Sequence, residues 1–128
     1  MKLLLGTHAF VWWMTGDSRL SPEAWCAICD PLNDLFLSSV SVVEMAVKTK
    51  LGKLRVDVPL EQFPARGMAL GGVSELPLTI RHALLLASLP VHHRDPFDRR
   101  LVAQSLVEGM PVVSQDAQLR PYGANIIG

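Results

Sequence analysis

Three acidic residues carry the spacing from which chemistry could be built: Glu44, Asp98 and Asp116. Each stands within a turn or two of a short apolar run or a helix start. Glu44 follows Leu35-Phe36-Leu37 and the serines Ser38, Ser39 and Ser41. Asp98 closes the stretch Asp95-Pro96-Phe97-Asp98, and Asp116 follows Val112-Val113-Ser114-Gln115. Carboxylates gathered in one pocket repel each other and stay ionised when a cation joins them. Oxygen-only donors suit Mg²⁺ or Mn²⁺. Such a cation acidifies water and neutralises charge on a phosphate, so the cluster suits phosphodiester hydrolysis without a nucleophilic Ser or Cys.

Each of these residues also has a plainer reading. Asp95, Pro96 and Asp98 fit the N-cap, N1 and N3 positions of a helix. Glu44 and Lys48 are spaced as an ordinary i,i+4 surface pair. Asp116 could simply start a short terminal helix. Cys26 and Cys29 have redox or zinc spacing, but a zinc site wants a second ligand pair. They are therefore expected to be core or half-buried thiols. Trp12 and Trp13 could stack on bases, although an oligomer interface is the favoured use. His8, His82, His92 and His93 have no evident acid–base partner and read as structural. Lys48, Lys50, Lys53 and Arg55 form one basic cluster, and Arg94, Arg99 and Arg100 another, either able to guide phosphates or an acidic partner.

The elements that must position these groups follow from periodicity. Leu3-Leu4-Leu5 and 34–38 read as strands buried on both faces, the mark of a parallel sheet. A helix follows over 8–15. Ser21-Pro22-Glu23 starts another, and Ser39 or Ser41 could cap a third over 41–50, ending at Gly52. The region 56–72 holds a short helix between loops, and 73–78 a short strand. Thr79 caps a helix over 80–88, and Asp95-Pro96 opens a long one to about Gly109. Strands at 110–114 and 125–127 complete the chain. Strands alternating with helices predict an α/β fold, a three-layer α/β/α sandwich around a parallel sheet. Ligands in such sheets bind beyond the carboxyl ends of the strands, where strand order reverses. Gly6-Thr7-His8, Ser38 to Glu44 and Ser114 to Asp116 all fall there.

Composition bounds the rest. The 128 residues predict one domain. A hydrophobic share of 49% excludes a disordered tail. Twelve basic and twelve acidic residues leave no net charge, so nucleic acid would be held by a local patch or through metal ions. Two cysteines build no disulfide scaffold, which points to the cytoplasm. No run of 18 uncharged apolar residues predicts a membrane span.

The sequence also resembles a family. Leu4-Leu5-Gly6-Thr7-His8-Ala9-Phe10-Val11-Trp12-Trp13 is similar to the opening of PIN-domain ribonucleases of the VapC toxin type. The likeness continues through Ser38-Ser39-Val40-Ser41-Val42-Val43-Glu44-Met45-Ala46-Val47-Lys48 and Leu51-Gly52-Lys53-Leu54. It is strongest at His92-His93-Arg94-Asp95-Pro96-Phe97-Asp98-Arg99 and closes with Val112-Val113-Ser114-Gln115-Asp116 and Tyr122-Gly123. The resemblance implies a PIN-like fold and an Mg²⁺- or Mn²⁺-dependent endoribonuclease, the toxin of a toxin–antitoxin pair. It implies Glu44, Asp98 and Asp116 as catalytic metal ligands, and Thr7, Lys48, Arg99 and Ser114 as substrate contacts. RNA, a cognate protein antitoxin and a second copy of the chain are the implied partners. The family's first acid falls on Gly6, which has no side chain to offer. Impaired cleavage follows, and the alternative is a degenerate PIN domain that binds RNA or antitoxin without cutting.

Overall fold

The computed structural model describes residues 1–91 and 95–128. His92, His93 and Arg94 lie outside the described residues, and with them part of the second basic cluster and two of the four histidines.

Five parallel strands form one sheet in the order β3-β2-β1-β4-β5: β1 (Lys2–Leu5), β2 (Asp34–Ser38), β3 (Ser74–Leu76), β4 (Val112–Val113) and β5 (Ile126–Ile127). β1 is central, with Leu5 opposite Leu37 on one side and Val113 on the other. Alternation along the strands divides the apolar residues between two cores. Leu3, Leu5, Leu35, Leu37 and Val113 face one core, while Leu4 and Val112 face the other. Helices cover both faces, so the expected three-layer arrangement around a parallel sheet is the one observed. α1 (Thr7–Thr15), α2 (Pro22–Cys29) and α4 (Phe63–Gly71) supply the first core through Phe10, Ile28 and Phe63. α6 (Pro96–Glu108) supplies the second through Leu101 and Val102. α3 (Ser39–Lys50) contributes Met45 to the first core and Val40 to the second.

Local chemistry explains where the elements begin. Ser21 Oγ accepts from Ala24 N at 3.1 Å and starts α2. Ser38, rather than Ser39 or Ser41, caps α3, accepting from Val40 N at 3.0 Å. The other two hydroxyls are engaged elsewhere: Ser39 accepts from Leu78 N, and Ser41 from Thr7 Oγ1. Thr79 and His82 form a reciprocal capping box at the head of α5 (Ile80–Leu86). Asp95 accepts from Phe97 N and Asp98 N and opens α6 with Pro96 behind it. Gly109, at φ 67°, takes the left-handed turn that lets the chain leave α6 for β4.

Several expectations give way to packing. Cys26 and Cys29 are exposed rather than buried or half-buried, because α2 turns Ala24 and Ile28 inward and both sulfurs outward. Trp12 and Trp13 pack partly buried against the first core. Trp13 lies so close to Gly71 that a Cβ there would meet its ring at 2.2 Å. His82 has an acidic neighbour after all. It is 1% exposed, with Nε2 3.5 Å from Glu108 Oε1. Among the described residues no helix is long and apolar enough to cross a membrane.

Candidate active site

Strand order runs outward from β1 in both directions, so the order reverses between β1 and β4. That is where a parallel sheet opens a crevice beyond its carboxyl ends. A cleft of about 340 Å³ lies there. Its walls include Gly6 and Thr7 from the end of β1, Asp95 and Asp98 from the start of α6, and Ser114 and Asp116 after β4. Two of the three expected acids therefore share one cleft, together with Gly6, Thr7 and Ser114. Both acids keep the backbone roles their plainer readings assign. Asp98 is in the first turn of α6, and Asp116 caps the 3-10 turn Ala117–Tyr122 through Gln118 N at 2.9 Å. Ser114 Oγ accepts from Asp116 N at 3.1 Å and steadies the turn that carries this carboxylate.

The third acid sits differently. Glu44 is 1% exposed, which overturns the surface-pair reading, and it is not among the residues lining the cleft. Its Oε2 accepts from Lys48 Nζ one turn on. Its Oε1 is buried and has no hydrogen-bond partner among the described residues. Thr7 Oγ1 donates to Ser41 Oγ at 3.0 Å and ties the end of β1 to the turn of α3 that precedes Glu44. Lys48 is thus engaged with an acid. Arg99 reaches back to Leu89 O at 3.4 Å and likewise does not line the cleft. Among the described residues, no three His, Cys, Asp or Glu side chains are grouped closely enough to hold a metal ion between them.

Gly6 has a second property besides its missing carboxylate. Gly6 N donates to Val113 O at 2.9 Å, and a Cβ added at Gly6 would meet that same oxygen at 2.7 Å. Its φ of −63° suits any residue, so the requirement for glycine is one of space.

His8, Asp95 and Gln115 also line the cleft. Asp95 was legible as a cap of α6, and the structure places it in the cleft as well. Gln115 carries no chemical signal in the sequence. Its Oε1 accepts from Ser21 N at 2.8 Å and anchors α2 to the end of β4. Loss of water around the His8 ring, then the charge of Lys48, lowers its pKa from the ordinary value, against the pull of Glu44 and Asp95.

A family model, that of the PIN domain, matches residues 3–124. The chain belongs to the PIN domain family. Ribonuclease VapC22 of Mycobacterium tuberculosis (strain ATCC 25618 / H37Rv) is 27% identical over 124 residues, covering 94% of this chain and 91% of that protein. Among solved structures, VapBC2 from Rickettsia felis bound to a DNA fragment from its promoter aligns with a TM-score of 0.69 at 12% identity. The alignment covers 98% of this PIN domain and 97% of the matched chain. FitAcB from Neisseria gonorrhoeae aligns at 0.63 and 16% identity, over 98% and 96%. At those identities the likeness is one of fold.

Proposed function

We propose that this PIN domain is a metal-dependent endoribonuclease of the VapC toxin kind, with cleavage weakened in this chain by Gly6. The observation that carries the reading is the meeting of Asp98 and Asp116 in one cleft at the carboxyl ends of β1 and β4. Two carboxylates suit a hard divalent cation that keeps most of its waters and shares phosphate oxygens. Asp98 and Asp116 would hold Mg²⁺ or Mn²⁺. Glu44, the third acid that the resemblance implies, does not line the cleft and would join the cation only by turning from Lys48. The cation, when bound, supplies acidification of water and neutralisation of charge on the phosphate. Thr7 and Ser114 line the cleft that the phosphodiester would enter. Asp95 holds Asp98 in place by fixing the first turn of α6.

A cognate antitoxin is the proposed protein partner, in keeping with the VapBC2 and FitAcB neighbours. A basic side chain offered to the Asp98 and Asp116 carboxylates would complement this acidic cleft and compete with the cation. A homodimer is proposed as well. Val43 and Val47 of α3 and Leu51 just after it are exposed at a four-residue spacing, a candidate face for a second copy. Two exposed thiols with no disulfide fit a reducing cytoplasm.

The space around Gly6 favours a second reading. A side chain there must push against the Val113 carbonyl, which suits a degenerate domain that binds RNA or antitoxin without cutting. One experiment separates the two. This chain and its Gly6→Asp form are incubated with a pool of structured RNAs, in Mn²⁺, in Mg²⁺ and in EDTA. Cleavage that requires metal supports the nuclease. Cleavage confined to Gly6→Asp assigns the loss to the missing carboxylate. No cleavage by either form supports the binding role.

A further inference from the structure

A second cleft, of about 410 Å³, adjoins the first and shares two residues with it, His8 and Trp12. Its other walls include Arg19, Lys53 and Arg55, with Asp17 and Asp57. Three flat groups meet along it. The His8 ring stacks on the Trp12 indole at 5.6 Å and 28°, and the Arg19 guanidinium lies over the same indole at 5.1 Å. Asp17 fixes the Arg19 plane by accepting from Nη2 at 2.8 Å and Nε at 3.1 Å. The Arg19 side chain is still 69% exposed, so the fixed plane faces solvent. Arg19 in turn holds the Asp17 carboxyl well below its usual range, at about 2. The two cations opposite are placed by the backbone. Lys53 N and Leu54 N both donate to Lys48 O, at 2.8 and 3.2 Å, and fold the chain after α3 back toward α1. Among the described residues, neither Lys53 nor Arg55 is in an ion pair.

We propose that this second cleft is a subsite for single-stranded RNA, seating a nucleotide that flanks the one held at the carboxylate cleft. The inference rests on the ribonuclease reading and extends it from the reacting phosphate to the neighbouring nucleotides. Stacking is the recognition mode that accepts any base, and guanidinium planes and aromatic rings provide it. Lys53 and Arg55 supply cations for backbone phosphates. An acidic peptide would use the cations and leave the stacked column without a role, so RNA is the better fit.

The test is binding of end-labelled octauridylate and octaadenylate in EDTA, read by fluorescence anisotropy. Both oligonucleotides are expected to bind this chain without metal. Arg19→Ala is expected to weaken binding about ten-fold, the loss of roughly one stacked base, and Lys53→Ala/Arg55→Ala by a similar factor. Lys2→Ala, at the amino end of β1 and so at the opposite end of the strands from the carboxylate cleft, should leave binding unchanged. No binding by the unmodified chain, or equal affinity for every variant, would overturn the subsite. So would an octaglutamate peptide that binds with the same dependence on Lys53 and Arg55 and displaces the RNA. Failure of the subsite and failure of the nuclease stay distinct. Binding that depends on Arg19 in a protein that never cleaves in Mn²⁺ keeps the former and removes the latter. Cleavage without any dependence on Arg19 does the reverse.

Discussion

Gly6 combines two effects at one atom position, and they can be separated. Gly6→Ala adds only the Cβ that meets Val113 O at 2.7 Å. It is expected to lower stability by about 1–3 kcal/mol, the usual cost of overpacking, with no response to Mn²⁺ beyond that of the parent. Gly6→Asp should lose more than Gly6→Ala without metal, because a third carboxylate then joins Asp98 and Asp116. It should recover part of that loss in Mn²⁺. Thermal unfolding of the three forms with and without Mn²⁺ checks this. Equal melting temperatures for Gly6→Ala and Gly6→Asp in EDTA would count against the repulsion. Lys48 is the second informative residue. Its ammonium compensates a carboxylate whose side chain is 2% exposed. Lys48→Met strands that charge and is expected to cost about 3–5 kcal/mol, with much of it regained in Lys48→Met/Glu44→Leu. Denaturant unfolding of the single and double variants decides it, and a single variant as stable as the parent would refute the compensation.

Individual elements hold the site through polar ties that the hydropathy pattern does not reveal. Ser38 caps α3 and donates to Gln104 Oε1 at 2.5 Å, while Gln104 Nε2 reaches Leu76 O and Pro77 O at 3.4 and 3.3 Å. One fully buried amide in α6 thus gathers the carboxyl ends of β2 and β3. Gln104→Ala leaves those groups without their partner and is expected to cost about 2–4 kcal/mol. Urea unfolding measures it, and a change under 1 kcal/mol would show the amide to be dispensable. The strands and the helices α1, α2 and α6 were legible in the sequence, since their apolar runs and caps are local signals. α3 was legible in extent but not in orientation. Its hydropathy invites Val43 and Val47 inward, yet these are 54% and 41% exposed while Glu44 is buried. Tertiary position decides that face, because the turn bearing Ser41 is pinned to Thr7. Cys26 and Cys29 are exposed for a similar reason: an apolar helix of eight residues does not say which side meets the sheet.

At the scale of the whole molecule, zero net charge removes long-range steering of a polyanion. The RNA binding proposed above would then come from short-range contacts at the two clefts. If Lys53 and Arg55 are the phosphate contacts, log affinity for a single strand should fall with log salt at a slope of about 1.4 in magnitude, or 0.7 per phosphate. Anisotropy titrations between low and moderate salt test this, and a slope above 3 would mean that a much larger basic surface is involved. The carboxyl end of the sheet was readable as the place to look, because alternating strands and helices imply a parallel sheet, but the strand order that puts the reversal between β1 and β4 was not. Nor was it readable which acids reach the crevice. Asp98 and Asp116 leave elements bordering the β1–β4 crevice, whereas Glu44 rides on a helix that follows β2, one strand away.

The close approach of Gly6 to the Val113 carbonyl has a consequence for any attempt to rewire this chain. The identity of residue 6 and the spacing of the two central strands are not independent variables. A carboxylate introduced alone arrives with its steric cost before any cation can reward it. The same change made after the strands have been eased apart would meet no such barrier. The order in which substitutions are made, and not only their final set, therefore decides whether variants along the route stay folded. A library that varies position 6 together with its neighbours on β4 and the turn beyond will find acidic combinations that one-at-a-time scanning discards.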